Sequence, residues 1–185
     1  MSPDSFSKGE VAVRADAQRN RERILDAAET VFARHGASGS TEEVARLAGV
    51  AIGTVFRHFP TKDDLLTAIL KRLLARLAEE AATLGGADGL HTFFRRVVEQ
   101  AAAKRTVVDL VGVSVPAAVG GLGEAVGELL RQAQAAGTVR PDVRPPEVMA
   151  LLVSVGQGAV HGGWDAGLQD RTLGVIFAGL ARAPR

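Results

Sequence analysis

The 185-residue chain contains no cysteine and no tyrosine, and only one tryptophan. Without cysteine there can be no disulfide, thiolate nucleophile, thiolate zinc site or thiol redox sensor. That composition fits a reducing, cytoplasmic setting. Charge of one sign is also missing. The 22 Lys and Arg residues oppose 21 Asp and Glu, leaving a net charge of +1. Any surface meant for a polyanion must therefore be local. No apolar run approaches the roughly 20 residues that cross a bilayer, so no membrane partner is expected. The opening "MSPDSFSKGEVAVRADAQ" lacks the apolar centre of a secretion signal and reads as a loose polar arm. No nucleophile–base motif, phosphate loop or metal-ligand spacing stands out, so neither a cofactor nor catalysis is expected. There is no internal repeat, and strand-like alternation is scarce.

What remains is helical periodicity, and the fold class expected is all-α. A first helix should span Gln18 to His35, with Ile24, Leu25, Ala28, Val31 and Phe32 on one stripe. Gly36 stops it. Ser40 followed by Glu43 is a capping box that starts a second helix at Thr41. Gly49 turns the chain into a short third helix, Ile52 to His58, which Pro60 terminates. Thr61 caps a fourth helix that carries Asp63 and Asp64 in its positive first turn. It runs to Leu84, where "GGADG" breaks it. Beyond that point, helices are expected over 90–104, 124–136, 147–161 and 170–182. The β-branched stretch 105–115 is also read as helical, and a break with Pro116 and glycines spans 115–123. The domains are then an arm at 1–17, a helix-turn-helix domain at 18–60 and a larger domain at 61–185, with 61–84 as connector.

The stretch "GVAIGTVFRHFP" (49–60) is the most informative. Two short helices joined by a glycine turn describe a helix-turn-helix. The second must be slim to enter a major groove about 12 Å wide. Gly53 permits close approach, and Thr54, Arg57 and His58 can donate to phosphates or base edges. Val50 and Val55 should hold this helix on the first two. Phe56 and Phe59 read more readily as core than as contacts.

Residues 20–70 carry "ILDAAETVFARHG", "VARLAGV" and "GTVFRHFPTKDDLL" in register. This stretch resembles the DNA-binding domain of the tetracycline-repressor (TetR) family of bacterial regulators. The resemblance implies that Ser40 and Thr41 contact phosphates. It also implies a recognition face of Ala51, Ile52, Gly53, Thr54, Phe56, Arg57 and His58. Lys62 would take a phosphate, and Arg19 and Arg21 would reach the backbone or minor groove. The family commonly has tyrosine where this chain has Phe56, which offers no hydroxyl. Ala51 stands where a capping serine is frequent. The "GASGS" loop is one residue shorter than the commonest form.

The implied protein is a homodimeric transcriptional regulator that binds a palindromic double-stranded operator. It would most readily be a repressor released by a small apolar effector. A ligand-independent DNA binder and a small all-helical enzyme are the alternatives. Candidate effector walls are Phe93, Phe94, Val97, Val111, Val115, Gln157, His161 and Trp164, since ligand sites are mostly apolar with few polar groups. The family pairs subunits through its last two helices. Two stripes there are broad enough to face a partner. One is Val148, Leu151, Leu152, Val155 and Ala159, with Gly156 allowing close packing. The other is Leu173, Ile176, Phe177 and Leu180.

Overall fold

A computed structural model describes residues 4–103 and 120–182. Among these residues there are eight α-helices and no strand. The chain divides into two compact units, Met1–Ile69 and Leu70–Arg185.

In the first unit, α1 runs from Asp4 to His35, α2 from Thr41 to Ala48 and α3 from Ile52 to His58. The opening turns of α4 (Lys62–Thr83) complete it. The stripe expected on α1 is the core: Ile24, Leu25, Ala28, Val31 and Phe32 are all buried, with Val44, Val55, Phe59, Leu65 and Ile69. α2 packs on both α1 and α3. The start of α1 differs from expectation. Residues 4–17 continue the helix rather than forming a loose arm. Ala, Arg, Glu and Gln dominate 14–19 and 21–23, and such residues lose little on joining an existing helix.

Local hydrogen bonds set the other ends. Ser40 Oγ accepts from Glu43 N at 3.1 Å and caps α2. Gly49 lies in the left-handed region, φ 64° and ψ 41°, where a side chain would be strained. Phe59 is extended ahead of Pro60 and ends α3. Thr61 Oγ1 accepts from Asp64 N at 3.1 Å, while Asp64 Oδ2 accepts from Thr61 N at 3.1 Å. This reciprocal pair starts α4.

The second unit contains the rest of α4 together with α5 (Gly89–Ala103), α6 (Gly120–Ala135), α7 (Pro145–Gly162) and α8 (Ala166–Leu180). α5 packs against α6, α7 and α8, and α6 packs against α7. Phe93, Phe94, Val98, Leu122, Val126, Leu129, Leu130, Val148 and Leu173 form its buried centre. The proline-rich connector before α7 is held by Gln134, whose amide donates to Arg140 O (3.1 Å) and Val143 O (2.9 Å).

Two expectations shift here. α6 begins at Gly120, inside the expected break. Burial of Leu122 and Val126 outweighs the cost of its glycines, about 1 kcal/mol each relative to alanine. α8 begins at Ala166 rather than 170, because Asp165 Oδ1 accepts from Leu168 N at 2.7 Å and caps it there. The β-branched stretch 105–115 lies outside the described residues.

Much of the two stripes read as a subunit interface faces the protomer's own core. Val148, Leu152, Val155, Gly156, Ala159, Leu173 and Leu180 are buried within the protomer itself. Leu151, Ile176 and Phe177 are half-buried against the same core. In a unit this small, each helix spends its broad apolar face on its neighbours. The large apolar residues exposed on α7 and α8 are Val153, Leu168 and Val175.

Candidate nucleic-acid interface

The interface is built around α3. Its anchor is Val55, fully buried, together with Phe59 just past the helix end. The guanidinium of Arg21 lies 5.2 Å from the Phe59 ring centroid, covering it from α1. Thr54 N donates to Ala51 O at 2.8 Å, closing the first turn. Ala51 is the N-cap and makes no side-chain cap bond, as its methyl requires. Arg23 Nη2 reaches Gly49 O at 3.4 Å across the turn between α2 and α3.

With the anchor inside, the opposite face is free. Ala51, Ile52, Gly53, Phe56 and Arg57 are exposed, and Thr54 and His58 are half-buried. A Cβ placed on Gly53 would meet nothing within 4 Å. The two phenylalanines of "FRHF" therefore part company. Phe59 is core, but Phe56 is 44% exposed and is not. Phe59 has left the helix for extended backbone, φ -138° and ψ 91°, so its ring is not held to the face that Phe56 occupies.

The remaining expected contacts differ in exposure. Ser40 is exposed and Thr41 half-buried at the start of α2. Lys62 is half-buried, with Nζ 5.4 Å from the Phe32 ring centroid. Arg19 pairs with Asp16 on the exposed side of α1. Arg19 and Arg21 lie in the interior of α1. Two basic residues outside the expected set also sit near helix ends. His35 Nε2 lies 3.5 Å, and Arg46 Nη2 3.8 Å, from Glu43 Oε1. That carboxylate thus bridges α1 and α2.

Among the described residues, the expected effector walls divide between core and surface. Phe93 and Phe94 are fully buried, and Phe94 packs edge-on against Phe177 at 5.3 Å. His91 also meets Phe177 edge-on, at 4.7 Å. Val97 is half-buried against the same core. Trp164 folds back onto α7, where a Cβ on Gly158 would come within 2.7 Å of its ring, and one on Gly162 closer still. Those two glycines serve the indole of their own chain. Gln157 and His161 pair with each other, Oε1 to Nε2 at 3.0 Å. Val111 and Val115 lie outside the described residues. A groove that sequence reading missed, about 620 Å³, lies between α6 and α7. Gly120, Gly123, Gly127, Pro145, Pro146 and Met149 line it. Placing Gly120 and Gly123 in a break concealed it.

Two family matches span most of the chain. Residues 24–69 match "Bacterial regulatory proteins, tetR family". Residues 86–182 match "Transcriptional regulator SbtR-like, C-terminal domain". A TetR transcription regulatory protein from Mycobacterium vanbaalenii is similar in structure, with a TM-score of 0.68 and 40% identity, over 92% of this chain and 99% of that one. The transcriptional repressor BepR of Brucella suis is 32% identical, covering 90% of this chain and 81% of its own. The regulator UidR of Escherichia coli K12 is 27% identical over 92% of this chain and 93% of its own.

Proposed function

The chain belongs to the TetR family of bacterial transcriptional regulators, and from that premise we propose that it is a homodimeric repressor of a palindromic operator. One observation carries the reading. α3 is anchored by Val55 and Phe59 and leaves Ile52, Gly53, Phe56 and Arg57 facing outward. One such helix makes too few contacts for regulatory affinity. Two, held by a dimer, read half-sites about 34–36 Å apart or a multiple of that spacing.

The subunits pair through the outward sides of α7 and α8, where Val153 and Val175 are exposed. A mostly apolar small molecule binds the second unit, with Gln157 and His161 as its orienting polar pair, and releases the operator. The release is limited by how differently it binds the two states, typically about 1–3 kcal/mol. The protein works in the cytoplasm, by binding and not by catalysis. No described helix is long and apolar enough to cross a membrane.

The test is selection of duplexes from random DNA with the full chain, followed by titration against salt. A symmetric motif should emerge, and its affinity should fall steeply with salt as phosphate contacts release counterions. Recovery of no symmetric motif would refute the reading.

A further inference from the structure

The recognition helix shows a feature that phosphate contacts leave unused. Ile52 is 38% and Phe56 44% exposed. They stand four residues apart on one seven-residue helix, so they share a face and form a ridge. Val55 and Phe59, not this pair, are the fully covered anchors of the helix. Between them Gly53 carries no side chain and has open space beside it. The ridge can therefore approach a surface closely.

The chemistry of the ridge restricts what it can meet. An apolar ring set against a phosphate would strip water from the anion and return no hydrogen bond, which is costly. Phe56 has no hydroxyl to repair that loss. Among the base edges of the major groove, the one apolar group is the C5-methyl of thymine. Arg57, exposed beside Phe56, supplies charge for the neighbouring backbone. The ridge is thus continuous with the polar face proposed to dock on DNA, and the argument from it rests on that reading.

We propose that Ile52 and Phe56 read thymine through its methyl group, and that each operator half-site carries thymine where this ridge meets the groove. Specificity at those positions then comes from burial of a methyl, not from hydrogen bonds.

The probe is the duplex selected by the wild-type chain, remade with deoxyuridine in place of thymidine at one position at a time. This change keeps base pairing and every hydrogen-bonding group, and removes only the methyl. Affinity should fall about fourfold per methyl lost, from the burial of one carbon, and about sixteenfold when both half-sites are changed. In Ile52→Ala or Phe56→Ala the same replacement should lose most of its effect at the position that side chain covers, since the pair is then already broken. Equal binding of the thymidine and deoxyuridine duplexes, with a symmetric motif still selected, overturns this inference and leaves DNA binding intact. That result would also follow if the ridge served a protein partner. Failure to select any motif overturns both this inference and the function it rests on.

Discussion

Within each unit large apolar side chains divide between core and surface, and the recognition helix and the last two helices divide them differently. In the unit ending at Ile69, a seven-residue helix leaves Ile52 and Phe56 exposed on one face. In the unit beginning at Leu70, the broad stripes of α7 and α8 turn inward, and the aromatics Phe93, Phe94 and Phe177 pack on one another or into the same core. The same residue types thus carry different meanings. Exposed apolar residues that adjoin on one face are informative about partners, whereas single ones are not, and an apolar stripe at helical spacing is first of all core. The stripe on α7 illustrates the hazard. Val148, Leu152 and Val155 have the pattern of an interface and the burial of an interior.

The largest expected effect tests that contrast directly. Phe94→Ala should cost about 3–5 kcal/mol in chemical denaturation, because it empties a fully buried site packed against Phe177. Val175→Asp, on a side chain 74% exposed, should leave helical content unchanged and weaken self-association in sedimentation. A loss for Phe94→Ala below about 1 kcal/mol would show that the site is not packed as described.

Next comes the indole on α7. Gly158→Leu places atoms where Trp164 sits, a Cβ alone coming within 2.7 Å of the ring. Overpacking of this kind costs about 1–3 kcal/mol. Displacing the chain's only tryptophan should also shift its fluorescence to the red. An unmoved spectrum would mean that the indole does not rest on Gly158.

Within the first unit, the exposed Arg57 and the half-buried Lys62 should behave differently on DNA. Arg57→Ala should cost about 1–3 kcal/mol on the selected duplex and relax preference at one position. Lys62→Ala should weaken all sequences alike and flatten the salt slope, since phosphates carry no sequence information. Titrations of both variants on selected and scrambled duplexes decide it, and identical behaviour would erase the distinction.

The smallest effect concerns caps. Ser40→Ala removes the acceptor for Glu43 N and should cost about 1 kcal/mol of stability. Ala51→Ser, at a cap with no side-chain bond, should recover a similar amount. Melting curves of the two variants should move in opposite directions.

What was legible in the sequence was what local chemistry decides. The starts of α2 and α4, the turn at Gly49 and the end of α3 before Pro60 depend on groups a few residues apart. They can be read without knowing the rest of the fold. The helix-turn-helix, and the residues around it, were recognisable for that reason. The tertiary structure alone decided which partner each helix face would meet. It turned Phe59 in and Phe56 out, laid Trp164 over Gly158 and Gly162, and drew Gly120 and Gly121 into α6 ahead of the buried Leu122. Periodicity marks an apolar stripe on a helix but not what covers it, because burial is non-directional and any apolar neighbour within reach will serve.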